Sequence, residues 1–235
     1  MSREFIQVEN EHWYPSPTIE GKYYPSVTTI LKAFPKGVGF DRYLANQESW
    51  ESSQDTLKKA GERGTRVHDA SEQLERGEAL HREAFNLDEW QLLTGFVAWH
   101  QKYKPKAILI EKGLVSDNLR TGGTVDRLYE IDDEDFGRMV VVFDLKTSKA
   151  IHDSYWLQTA VYRELIIEAK IAIPTHTAIL RLANNRKLGY EYQIREIEDI
   201  ENDFKAFESV QAVWNYQNPK ASGPKIIEVP DILKL

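Results

Sequence analysis

The stretch Met139-Val-Val-Val-Phe-Asp144-Leu145-Lys146 runs from five apolar residues straight into an acid and a lysine. Its length and β-branched content predict a buried strand that ends at a polar site. Strand side chains alternate, so Asp144 and Lys146 share one face while Leu145 points to the other, into the core. Upstream, Thr121 to Ile131 reads as a second strand and carries Asp126 in Gly123-Thr-Val-Asp126. Two carboxylates and an ammonium on adjacent strands can hold a divalent cation and activate water. Hard oxygen ligands suit Mg²⁺ or Mn²⁺. Lys146 would orient or deprotonate that water and stabilise negative charge.

Further groups accompany this core. Gln158 and Tyr162 are four apart on a predicted helix and share a face, beside an apolar stripe of Leu157, Val161 and Leu165. Thr147 and Ser148, directly after Lys146, are candidate hydrogen-bond donors to phosphate. His68 closes Gly64-Thr-Arg-Val-His68 on a polar helix, with Glu72 one turn on. Taken alone, His68 reads as readily as a surface or capping residue. Glu111, mid-strand in Ile-Leu-Ile-Glu-Lys, is either a partnered site acid or an outward-facing one.

Asp126, Asp144-Leu-Lys146 and the glutamine–tyrosine helix resemble the PD-(D/E)XK nuclease superfamily. Gly64-x-x-x-His68 and the opening Tyr24-Pro-Ser-Val-Thr-Thr-Ile-Leu31 are similar to its RecB-like exonuclease branch, including phage-encoded exonucleases and mitochondrial genome maintenance exonucleases. The resemblance covers roughly residues 24 to 195; a Val stands before Asp126 where the superfamily name has Pro. It implies an α/β fold with an αβββαβ core, a mixed sheet flanked by helices. It also implies a metal set of His68, Glu111, Asp126 and Asp144, with Glu72 as an outer partner of the imidazole. Gln158 would contact a catalytic group or phosphate, and Tyr162 nucleic acid. The implied activity is metal-dependent exonucleolytic hydrolysis of DNA, single-stranded by preference. Rival readings are a structure-specific endonuclease and a non-cleaving nucleic-acid-binding protein on the same fold; a partner-recruiting adaptor is a third.

With 235 residues, 41% hydrophobic and 29% charged, the chain suits one soluble nuclease domain. Residues 1–105 would form a mainly helical N-terminal part that arches over the sheet. Residues 106–217 would form the catalytic sheet and helices, and 218–235 an extended tail. The absence of cysteine rules out disulfides, zinc–thiolate sites and a cysteine-ligated iron–sulfur cluster. No P-loop is present, so no helicase motor is expected. Met1-Ser-Arg-Glu-Phe has no apolar signal core, and no window reaches the length of a membrane span. A cytoplasmic location follows as the default expectation. The net charge of −7 argues mildly against nonspecific coating of nucleic acid. A local groove is still expected from Arg42, Lys58, Lys59, Arg63, Arg66, Arg181, Arg186 and Lys187. Among six tryptophans and eleven tyrosines, Tyr23, Tyr24, Trp50 and Trp156 are the candidate stacking platforms.

Period changes order the elements. Residues 1–25 should be an irregular arm or a hairpin, followed by a short helix from Ser26 to Phe34 capped by Ser26. Further helices are expected at Phe40–Trp50, Ser53–Arg76 and Asn86–Tyr103. In the second of these, Gly61 and Gly64 would allow close backbone approach. The third should bury Leu87, Trp90, Leu93, Val97 and His100. Strands are expected over 107–115, 121–131, 139–147, 175–182 and 190–195, with helices over 154–169 and 197–216.

Overall fold

The structure, a computed structural model, describes residues 5–8, 11–35, 37, 49–219, 221 and 223. The expected Phe40–Trp50 helix, Arg42, the Trp50 side chain and most of the tail lie outside the described residues. The chain begins with a three-stranded antiparallel sheet, β1 (Ile6–Val8), β2 (Glu11–Pro15) and β3 (Tyr23–Pro25). Of the two expected forms, irregular arm or hairpin, the antiparallel pairing matches the hairpin, and Trp13, Tyr14 and Tyr24 bury their rings. Helix α1 (Val27–Ile30) follows, capped as expected by the Ser26 hydroxyl accepting from Thr29 N–H, and runs on as one 3₁₀ turn over Leu31–Ala33.

Two long helices come next, α2 (Trp50–Glu75) and α3 (Leu87–Tyr103). A capping box starts α3: Asn86 accepts from Glu89 N–H and the Glu89 side chain accepts from Asn86 N–H. The buried stripe of α3 is not the expected one. Leu92, Leu93, Phe96 and Trp99 face the core, whereas Leu87 is 61% exposed and Trp90, Val97 and His100 are half-buried. The cause is a backbone contact: a Cβ on Gly95 would lie 2.3 Å from the Gly189 carbonyl oxygen. That approach seats the Gly95 side of α3 and rolls Leu87 outward. In α2 a Cβ on Gly61 would meet nothing within 4 Å, whereas one on Gly64 would lie 3.4 Å from the Thr147 hydroxyl, so of the two expected close approaches only that at Gly64 is present.

The main sheet holds β4 (Lys106–Ser116), β5 (Thr121–Asp133), β6 (Gly137–Lys146), β7 (His176–Leu182) and β8 (Tyr190–Arg195), adjacent in that order. Only β6 and β7 pair in parallel; the other neighbours are antiparallel. Helix α4 (Asp153–Glu168) supplies the crossover between β6 and β7, and α5 (Ile197–Gln217) closes the chain. Parallel neighbours need such a crossover, which covers the sheet.

Two cores flank the sheet. Val67, Ala70, Phe96 and Trp99 pack on one face against Tyr129, Val141, Phe143 and Leu145. On the other, Val27, Leu157, Val161, Phe207 and Trp214 pack against Leu128 and Val142. Strand β6 thus sends odd positions to the α2–α3 layer and Val142 to the α4–α5 layer. Burial on both faces explains the unbroken apolar run at 139–143. The same alternation puts Asp144 on the α4 side, where the helix carries Gln158. Among the described residues no helix is long and apolar enough to cross a membrane.

Candidate active site

The β5–β6 ladder ends at the Arg127–Phe143 pair, while β6 continues beside β7 as far as Lys146. The peptide of Leu145 is left with no partner strand on its β5 side, and buried peptide groups need partners. Two side chains meet that need. Asp126 Oδ2 accepts from Leu145 N–H at 3.0 Å, and His68 Nε2 lies 2.8 Å from the Leu145 carbonyl oxygen. A carbonyl only accepts, so Nε2 carries the proton and Nδ1 presents its lone pair. Nδ1 stands 3.6 Å from Asp126 Oδ2 and 3.8 Å from Glu111 Oε1. The Leu145 carbonyl, and not Glu72, orients the imidazole; Glu72 pairs instead with Arg76 at 3.2 Å.

His68, Glu111 and Asp126 form a cluster whose donor atoms lie within 4.8 Å of one another. Opposite ligands of a Mg²⁺ ion stand about 4 Å apart, so little contraction would seat a small divalent cation. The donor set of one imidazole nitrogen and carboxylate oxygens suits Mg²⁺ or Mn²⁺. Burial works to lower the His68 pKa, but the Asp126 charge and Glu111 outweigh it and raise it above the ordinary value. Without a cation, a proton is what this cluster attracts, and the two would compete.

Asp144 lies beside this trio and is fully buried. Gln158 Nε2 donates to its Oδ1 at 3.3 Å, and Lys146 Nζ stands 2.7 Å from Oδ2. That contact is an ion pair, so both oxygens of the buried Asp144 carboxylate are engaged. Burial pushes the Asp144 carboxyl up to about 7; Lys146 opposes the rise and the Asp126 charge adds to it. Burial also disfavours the Lys146 ammonium, yet Asp144 and Asp126 outweigh this and raise its pKa. The charged form of Lys146 is thus the favoured one. Its Nζ also lies 3.4 Å from Gln158 Oε1 and 4.7 Å from the centre of the Tyr155 ring.

Gln158 accordingly bridges Asp144, Lys146 and Tyr162, whose hydroxyl accepts from Nε2 at 2.9 Å. Tyr162 is only 3% exposed, which corrects the expected contact with nucleic acid. Its ring packs on Gly123, where a Cβ would lie 2.4 Å from Cε1. The glycine in Gly123-Thr-Val-Asp126 is thus what lets α4 lie close enough for Gln158 to reach Asp144. Of the expected phosphate donors, the Ser148 hydroxyl donates to the Ala150 carbonyl, while Thr147 accepts from Arg63 through its backbone carbonyl only.

Sequence reading overlooked Arg127 and Glu75. Arg127 is 1% exposed; its Nε donates to Glu75 at 2.5 Å, Nη1 to Glu111 at 3.0 Å and Nη2 to Ser71 at 2.9 Å. The available signal was an arginine next to Asp126 on a strand that reads as buried, where a charge requires a partner. Glu75 lies seven residues after His68, on the same side of α2.

Most of the expected basic groove is already paired. Arg63 bonds Asp88, Arg66 bonds Glu89, and both Arg181 and Arg186 bond Glu191. Lys58, Lys59 and Lys187 are exposed. Beside the site a cavity of 360 Å³ is lined by Lys149, Trp156, Arg181, Arg186 and Arg195 among others. Trp156 lies beneath the Arg195 guanidinium at 4.4 Å and is buried, as is Tyr24, so neither offers an open stacking face. Tyr23 is half-buried.

No family model matches the chain, and no curated protein matches it. Among solved structures it is similar to the crystal structure of LHK-Exo in complex with dAMP. The two share 14% identity at a TM-score of 0.35, over 86% of this chain and 93% of that one.

Proposed function

We propose that this chain is a divalent-metal-dependent deoxyribonuclease of the PD-(D/E)XK type, acting as an exonuclease from a free end and preferring single strands. The observation that carries the reading is the convergence of His68, Glu111 and Asp126 beside the Asp144–Lys146 pair. The helix–three strands–helix–strand order from α3 through β7 agrees with the αβββαβ core that the sequence motifs imply. On this reading residues 1–235 serve one nuclease domain. The preference for DNA, for single strands and for ends rests on the resemblance of the motifs.

His68, Glu111 and Asp126 would hold the cation, with the Asp144–Lys146 pair beside it. A Mg²⁺ or Mn²⁺ ion so held supplies Lewis-acid polarisation of a phosphoryl oxygen and a lowered pKa of water. The chain's own groups do the rest. Lys146 presents a fixed ammonium to the negative charge that grows on the phosphoryl group. Gln158 restrains both Asp144 and Lys146, and the Leu145 peptide fixes the directions of His68 and Asp126.

The test uses oligonucleotides labelled separately at the 5′ and 3′ ends, with wild type and Lys146→Ala, in Mn²⁺, Mg²⁺ or EDTA. Metal-dependent shortening from one end is expected, slowed about 100- to 10,000-fold in the variant. A circular single strand, having no end, should survive; its cleavage would point to an endonuclease. Tight binding without cleavage in either metal would leave a binding protein as the better reading.

A further inference from the structure

Glu111 is the one proposed ligand whose backbone is unusual. The residues on either side of it pair regularly with β5, Ile110 with Arg127 and Lys112 with Val125. Glu111 itself has φ 46°, in the left-handed region that L side chains rarely adopt. Such conformations persist where surrounding contacts hold them, and they concentrate at functional sites. The contact here is Arg127 Nη1, 3.0 Å from Glu111 Oε1.

Arg127 is well suited to hold another group in place. Its guanidinium is buried and anchored on three sides: Glu75 and Ser71 on α2, and the Asp126 carbonyl at 2.8 Å on β5. Glu75 meets Arg127 through Oε2 and accepts from the Tyr129 hydroxyl through its other oxygen. The planar fork therefore arrives at Glu111 with its direction already set, which a lysine could not reproduce.

We propose that Arg127 is a positioning residue that fixes Glu111 within the trio and presets it to receive a divalent cation. The inference rests on the metal-centre reading above and adds to it a residue that need not touch the cation. Outer partners of this kind typically change metal affinity about 10- to 100-fold when altered.

The experiment titrates the full-length protein with Mn²⁺ alone by calorimetry, well below its melting temperature, and records Tm beside each titration. Arg127→Lys keeps the buried charge but loses the fork. Tyr129→Phe removes a bond from the same network without touching Glu111. Glu111→Gln keeps an acceptor for Arg127 but loses the ligand charge. The expected result is a Kd about 10- to 100-fold weaker in Arg127→Lys. Tyr129→Phe should lower Tm and leave Kd unchanged, and adding Arg127→Lys to Glu111→Gln should weaken binding no further. A wild-type Kd in Arg127→Lys would overturn the inference alone, as would Arg127→Lys and Tyr129→Phe weakening Kd in step with their losses of Tm. Should Arg127→Lys fail to fold, a Tyr129→Phe Kd weakened as much as that of Glu111→Gln would also overturn it. Failure of the wild type to bind Mn²⁺ would overturn the inference together with the metal-centre reading.

Discussion

The Nε2 of His68 lies 2.8 Å from the carbonyl oxygen of Leu145, 77 positions away in sequence, and this contact decides which imidazole nitrogen faces the carboxylates. One residue, Leu145 between the Asp and the Lys of Asp144-Leu-Lys146, orients two proposed ligands at once: its carbonyl holds His68 and its N–H holds Asp126. The arrangement exists because β5 leaves β6 beyond Phe143 while β6 stays on β7.

Cation binding should be visible as stability. At a Mn²⁺ concentration about 100-fold above Kd, the folded state should gain about 2.7 kcal/mol, read as a rise in Tm that EDTA reverses. His68→Gln should abolish most of that rise. An unchanged rise in the variant would remove His68 from the ligand set.

Gly123 should tolerate no side chain. A methyl there would overlap the Tyr162 ring, and overpacking of this kind costs about 1–3 kcal/mol. The displaced α4 would carry Gln158 away from Asp144. Gly123→Ala should therefore lose activity at temperatures where it is still folded, as judged by circular dichroism. Wild-type activity in a folded Gly123→Ala would show that Gln158 is dispensable.

Gln158→Ala should leave Asp144 Oδ1 without the amide donor it now receives and Tyr162 without its hydrogen bond. Removing a partner from buried polar groups costs about 1–3 kcal/mol. Chemical denaturation measures this directly, and a variant as stable as wild type would contradict the bridging role.

His176 carries a pH dependence of known sign. Burial lowers its pKa below the ordinary value, against the charges of Glu196 and Asp133. The unfolded chain thus binds the proton more readily, so stability should rise with pH through the window just below the unfolded histidine value of about 6.5. The contribution is complete above that value and is lost as pH falls through the folded pKa. Replacing His176 with Asn should flatten this part of the stability–pH curve; an unaltered slope would assign it to other groups.

If a nucleic-acid strand crosses the cavity beside the site, its phosphates would meet Lys149 and the exposed Arg186, which would exchange its pairing with Glu191 for them. Lys149→Ala with Arg186→Ala should weaken oligonucleotide binding about equally for all sequences. The slope of log K against log salt should fall by about one for each phosphate no longer neutralised. An unchanged slope would put the strand elsewhere, for example along the exposed Lys58 and Lys59.

What the amino-acid sequence determined by itself was local and periodic. Alternation at 139–146 put Asp144 and Lys146 on one face of a strand, and four-residue spacing put Gln158 and Tyr162 on one face of a helix. All five strands of the main sheet fall where the apolar runs predict them. Only tertiary structure decided which groups meet. Tyr162 is buried because Gly123 admits its ring, and α3 turned its Leu92–Trp99 stripe inward because Gly95 rests on Gly189. The left-handed turn at Glu111, the anchoring of Arg127 by Glu75 and the use of the Leu145 peptide all depend on where one strand parts from another. Periodicity is a property of neighbouring residues and survives in any short window; the end of a ladder is set by packing between segments far apart in the chain, and no short window contains it.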